Sequence, residues 1–343
     1  MKGLRHAALA LTAVIAVAAF IGCEGEEGPQ GPPGLATCTE TCHTDSYAVD
    51  DYLLAYQTEY EGSGHANGES FARGGEDCAR CHTSEGFTHF VTTGEEIEVV
   101  ESSPIGCFGC HAPHTNQDFS LRRTSAVDLD WGGTYNKLES NTCATCHQAR
   151  LPDPLIDDLA TAITSTRWGP HHGPQSGVLI GDGAYVFDEA YSSSHAHNAV
   201  SNGCVGCHMA ETAGDGLGGG HTFSVGYEYH SSHTINGNGC FGCHTAWDED
   251  DDNATEAVAD AKAEFEEAMD ALLADFVTLG WLSSSGSVQG SAIPADVDAR
   301  GAVFNFKFIE EDLSMGVHNP TYAGDVLEAT QAYVDQQLIL AGR

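Results

Sequence analysis

Six cysteine pairs punctuate this 343-residue chain, and each ends in histidine. Five have the strict form C-x-x-C-H: Cys78/Cys81/His82, Cys107/Cys110/His111, Cys143/Cys146/His147, Cys204/Cys207/His208 and Cys240/Cys243/His244. The first, Cys38/Cys42/His43, has three intervening residues. Disulfides would not require a histidine after the second cysteine. Structural zinc wants four ligands from closely spaced pairs, and iron–sulfur clusters leave the histidines unexplained. C-x-x-C-H is the attachment pattern of c-type haem. Two thiols add to the two vinyl groups, and the next residue places its imidazole under the iron. The expected cofactor is therefore heme c: six, or five if Cys38 and Cys42 form a disulfide instead.

The second axial ligand then decides the chemistry, because an iron with two protein ligands transfers electrons and one with an open position can transform a substrate. Methionine is scarce after the leader, only Met209, Met269 and Met315. Histidine is not: beyond His6 and the six motif residues, eleven remain. That supply suffices for every iron to be bis-histidine. His318 stands in GVHNP, where Asn319 can cap a helix with Pro320 in its first turn.

Over most of its length after Cys38 the chain resembles multihaem c-type cytochromes. FNFKFIEEDLSMGVHNPTYA, residues 304–323, is similar to the C-terminal segment of ammonia-forming nitrite reductases and related multihaem cytochromes. The resemblance implies that His318 is a distal ligand. His221 in GGGHTF and His172 in GPHHGPQ resemble distal-ligand segments of the same proteins, and His114, three residues after His111, matches an arrangement that serves a neighbouring haem. His195 in SSSHAH and His65 in GSGHANG complete the expected distal set, with His89, His171, His197, His230 and His233 in reserve. The chain departs from the nitrite reductases in lacking C-x-x-C-K, their usual catalytic haem site.

The elements that must position these groups are sparse before residue 250. Glycine is abundant there and periodic segments are few, so packed porphyrins must act as the core. From 251 the character changes. Asn253 and Glu256 form a capping box, Val258, Phe265, Leu272, Phe276 and Leu279 recur at helical spacing, and Gly280 ends the helix. A second helix is predicted from about Pro320 to Leu340, with Val326, Leu327, Val334 and Leu338 inward. The expected fold is mainly α with extensive irregular loops, little β and C-terminal helices. Its expected divisions are a signal peptide (1–22), a tether (23–37), a haem-binding region (38–250) and a helical scaffold (251–343).

The leader rests on Lys2 and Arg5, followed by an apolar run from Ala7 to Ile21 too short to span a bilayer comfortably. Gly22-Cys23 resembles a bacterial lipoprotein processing site, which implies a lipid on Cys23; ordinary cleavage nearby would instead leave a free thiol. Residues 25–36 form four Gly-X-Y triplets, too few for a collagen helix and suited to a flexible tether. Thirteen Lys plus Arg against 50 Asp plus Glu give a net charge of −37. That excludes nucleic acid as a partner and favours cationic ones. The expected function is electron transfer in periplasmic or extracellular anaerobic respiration, from an outer-membrane lipoprotein, in the periplasm or at the cell surface. Its partners would be other redox proteins or an extracellular electron acceptor, with homo-oligomer or filament assembly compatible. The alternative is a reductase of a small nitrogen or sulfur compound with one open haem, for which Cys38/Cys42/His43 is the suspect. Only Lys137, Lys262 and Lys307 follow the leader, so an anionic substrate would rely on Arg122 and Arg123.

Overall fold

A computed structural model describes residues 47–116 and 118–342. The signal peptide, the tether with Cys23, and Cys38, Cys42 and His43 lie outside the described residues. The fold is mainly α with irregular connections and little β. The elements used below are α1 (Tyr47–Glu61), α2 (Glu76–His82), α3 (Ser84–Thr93), α4 (Gln175–Ile180), α5 (Gly203–His208), α6 (Asp251–Leu279), α7 (Val297–Asp312) and α8 (Pro320–Leu340). Strands β1 (Val127–Asp128) and β2 (Thr134–Tyr135) pair antiparallel with Val127 opposite Tyr135. Strands β3 (Gly226–Tyr229) and β4 (Ser232–Ile235) pair likewise, Gly226 opposite Ile235. The two residues joining β3 to β4, His230 and Ser231, both have positive φ, as a tight hairpin turn of matching twist requires.

The main core belongs to α6, α7 and α8. The capping box expected at Asn253 is displaced: α6 starts at Asp251, and the Asp250 side chain accepts the Asp252 N–H at 2.9 Å. Three consecutive acids meet the positive end of the helix there, so the start moves N-terminally to the one with extended backbone. Asn253 instead donates to the Trp247 carbonyl at 3.2 Å. At the other end Gly280 takes φ +81° and closes the helix. Leu272 and Phe276 are buried, while Val258, Phe265 and Leu279 are half-buried.

Helix α8 runs over Pro320–Leu340, with Asn319 accepting the Tyr322 N–H at 3.1 Å and Pro320 in the first turn. Val326, Leu327 and Val334 are buried, and Leu338 packs at the edge of the core. Helix α7 has no counterpart in the sequence reading. Eleven of its sixteen residues are buried, including Phe304, Phe306 and Phe308. Its polar members are satisfied at depth: Arg300 donates to the carbonyls of Asp158 (2.5 Å) and Thr161 (2.8 Å). Asn305 bonds both the N–H and the carbonyl of Tyr185, at 2.7 and 2.9 Å. Thus residues 149–187 wrap α7 and join the core through Ile156, Ile163, Trp168 and Val178.

A smaller cluster, Val127, Leu129, Tyr135, Ala144 and Leu179, sits beneath the third strict cysteine motif. Among the described residues, no helix is long and apolar enough to cross a membrane.

Candidate haem-binding site

Each described cysteine pair spans one tight turn of chain. In three motifs the histidine N–H donates to the carbonyl of the first cysteine: His111 to Cys107 (2.8 Å), His147 to Cys143 (2.9 Å) and His244 to Cys240 (2.9 Å). That 13-atom ring brings both thiols and the imidazole to one side of the chain. The other two motifs lie in α2 and α5, which end on His82 and His208.

All ten described motif cysteines are free thiols. Their burial varies: eight are partly covered, but Cys243 and Cys107 are exposed. Cys243 lies outside any helix, in a turn closed by its own N–H donating to the Cys240 carbonyl at 3.0 Å. Residues 242–246 around it are exposed throughout. The reason is position: this last motif lies just before the acidic start of α6, where the chain leaves the array, so Cys243 stands at its rim. Thioether formation needs a reachable sulfur at the right spacing rather than a buried one, so Cys243 keeps its place in the attachment pattern.

Five further histidines face the five motif histidines, ring against ring. Ring centres are 6.1 Å apart for His147–His65, His82–His171 and His244–His197, and 6.2 Å for His111–His221 and His208–His318. Two imidazoles on one metal, each with a metal–nitrogen bond of about 2 Å, hold their centres about 6 Å apart. Hydrogen bonding sets the tautomers. The Nδ1 atoms of His111, His197 and His208 contact the carbonyls of Phe119 (2.5 Å), Val317 (2.6 Å) and Phe223 (2.9 Å). Nδ1 of His318 lies 2.6 Å from Asp312 Oδ1, and Nδ1 of His147 lies 3.4 Å from Gln175 Oε1. Carbonyl and carboxylate oxygens only accept, so Nδ1 donates and Nε2 keeps its lone pair for a metal.

Burial also keeps most of these rings neutral, as ligation requires. It pushes His65 down to about 4, with His147 adding to the effect, and His171 down to about 4, with His172 adding. His82, His147, His208 and His221 are lowered for the same first cause. His318 is the exception: burial works to lower it, but the adjacent Asp312 carboxylate outweighs burial and raises it. The donor set, two free thiols and two facing imidazoles, fits a covalently attached haem at each of the five places, and in four of the pairs at least one ring nitrogen is oriented by a hydrogen bond.

The expected distal residues divide. His65, His221 and His318 each face a motif histidine. Opposite His82 stands His171 rather than His172; His171 has φ +64°, which turns successive side chains apart, and His172 Nδ1 meets Glu311 Oε2 at 2.5 Å. Opposite His244 stands His197 rather than His195, whose Nδ1 accepts the His197 N–H at 3.2 Å. His114 is exposed on the turn Pro113–Asn116 and faces no motif ring among the described residues. His89 lies on α3 with Nε2 buried and without a hydrogen-bond partner.

The sites crowd together. Cys146 Sγ lies 3.7 Å from the Arg80 carbonyl, next to Cys81, and the Val205 N–H donates to Ser140 Oγ at 2.8 Å, just before the 143–147 turn. Gly239, just before Cys240, comes so close to the 204–208 turn that a Cβ there would lie 3.0 Å from Cys207 Cα. Phe223 stands 5.0 Å from the His65 ring and 6.0 Å from His221, and its carbonyl takes the His208 bond.

The fold is similar to that of a solved cytochrome. No family model and no curated protein matches the sequence. Among solved structures the chain is similar to the outer cell wall cytochrome OcwA, with a TM-score of 0.52 at 19% identity, over 81% of this chain and 50% of that one. It is also similar to the undecahaem cytochrome from the S-layer of Carboxydothermus ferrireducens, with a TM-score of 0.47 at 16% identity, over 82% of this chain and 40% of that one. The chain thus spans about half the length of the first and less of the second.

Proposed function

We propose that this chain is an exported electron carrier holding six heme c groups, five of them with two histidine ligands each. The observation that carries the proposal is the set of five facing pairs, each joining a C-x-x-C-H histidine to one from elsewhere in the chain. In this reading Cys78/Cys81, Cys107/Cys110, Cys143/Cys146, Cys204/Cys207 and Cys240/Cys243 hold the porphyrins. His82, His111, His147, His208 and His244 are proximal ligands, and His171, His221, His65, His318 and His197 are their respective distal partners. Cys38, Cys42 and His43 would hold the sixth group. A bound haem iron between two imidazoles has no free position and exchanges one electron at a time with its neighbours.

The protein supplies geometry and exclusion. The turns 140–147, 203–208 and 240–244 lie side by side, so groups held there would be adjacent, and the facing imidazoles would hold each iron from both sides. The leader, Cys23 and the tether suit a lipid-anchored protein outside the cytoplasm, and the cell-wall location in OcwA's description points the same way. With a net charge of −37, partners would be redox proteins with cationic docking faces, or an extracellular acceptor such as a metal oxide.

The test is a haem count per chain together with a low-temperature EPR spectrum of the fully oxidised protein. Six haems with low-spin signals alone are expected. One high-spin iron per chain would overturn the carrier reading and favour a reductase with an open site; a count of five would remove the Cys38/Cys42 group.

A further inference from the structure

The five facing pairs differ in what holds the outer nitrogen of each ring. His111, His197 and His208 lean on backbone carbonyls, and His147 on an amide oxygen, all neutral acceptors. His221 has Glu59 nearby, but that carboxylate accepts the His221 backbone N–H at 2.9 Å and stays 3.8 Å from Nδ1. Glu311 bonds His172, which faces no motif ring. His318 alone, among the described pairs, has a ring hydrogen bond to a carboxylate: Asp312 Oδ1 at 2.6 Å.

The arrangement around that bond is built. Asp312 is only 2% exposed and is the last residue of α7. Its other oxygen, Oδ2, accepts from Ser314 Oγ, and the same hydroxyl accepts the His318 backbone N–H at 3.2 Å. The negative end of α7 adds to the carboxylate's field. A buried anion accepting from Nδ1 gives the imidazole more electron density to donate through Nε2. A stronger donor favours ferric over ferrous iron, and burial leaves this bias unscreened by water.

Resting on the ligand assignment above, we infer that Asp312 makes the haem held by Cys204, Cys207 and His208 the last of the five to be reduced. Asp312 acts through His318, so it is a positioning and tuning residue. The 204–208 turn lies between neighbours: the Val205 N–H donates to Ser140 Oγ at 2.8 Å, just before the 143–147 turn, and Gly239, just before Cys240, abuts Cys207 on the other side. Electrons would pass over its haem and collect on either side.

The experiment is a spectroelectrochemical titration of the fully loaded chain, one electron per iron, with EPR of the oxidised form. In Asp312→Asn the lowest-potential component should move up while the others stay, with every signal still low-spin. Ser314→Ala should move the same component down, because the carboxylate loses a donor that spreads its charge. Glu311→Gln, a neighbouring carboxylate without a facing-ring bond, should leave it in place. An unchanged curve in Asp312→Asn, an equal shift of all components, or an equal effect of Glu311→Gln would overturn the inference. If Asp312→Asn loses its ligand and turns high-spin, Ser314→Ala decides: a downward shift supports the inference and no shift overturns it. Failure of the ligand assignment would show separately, as a high-spin signal or a low haem count in the unaltered protein.

Discussion

The helices of 251–340 and the cysteine-bearing segments solve the problem of an interior in opposite ways. Every buried residue of the main core lies at or after Ala149, and none lies between Val178 and Met269. Helix α7 is packed on all sides by aromatic and aliphatic side chains, as in an ordinary domain. Around the five motifs the buried apolar side chains are few, the small cluster of Val127, Leu129, Tyr135, Ala144 and Leu179 among them, and imidazoles, thiols and glycines fill much of the rest. One region carries its own stabilising groups in sequence; the other would draw them from the haems proposed above.

The largest test of this contrast is to withhold the haem. Protein made without attachment should keep α6–α8 and their wrapping segment 149–187 resistant to limited proteolysis, while 47–126 and 204–247 are cut early. Uniform resistance would break the comparison. Next in size is removal of one ligand. His171→Ala should convert one iron per chain to high spin and His172→Ala should convert none; the opposite result would reverse the assignment made from ring geometry. A cavity in the side-chain core should act on stability without touching the spectrum. Phe304→Ala is expected to cost about 3–5 kcal/mol in denaturant unfolding of the helical region, with the haem bands unchanged. A change in those bands would mean that the two interiors are one. The smallest effect is at a helix cap: Asp250→Ala should lose about 1 kcal/mol, and Asn253→Ala clearly less, because Asp250 alone caps α6. Equal losses would restore Asn253 as the cap.

What could be read from the sequence follows the same divide. The motif turns were legible because covalent attachment demands a fixed spacing, though spacing said nothing of depth, and Cys243 at the rim reads the same as Cys146 inside. Helix α8 was legible because Asn319-Pro320 marks its start and its inward residues recur at helical spacing. Helix α7 was not, because burial on all sides erases the alternation that reveals an amphipathic helix, and FNFKFI reads equally well as a strand. The choice between His171 and His172 was hidden for another reason. Neighbouring residues share local sequence, and a single backbone angle, φ +64° at His171, decides which ring turns inward. His195 and His197 pose the same problem two residues apart. Surplus histidines announced that partners exist; pairing them required the chain to close over distances such as that from His208 to His318.

Phe223 carries a consequence of its own. It sits at φ +57°, its ring lies against His65 and His221, and its carbonyl holds His208. Three of the five facing pairs therefore share one mechanical bearing. A chain extended by one residue just before or after it would misalign three facing histidines together, whereas the same insertion in the turn around Pro113–Asn116 would disturb at most its immediate neighbours. The loop that looks least structured, glycine-rich 214–220, leads through one short turn into the position with the least tolerance for change in length.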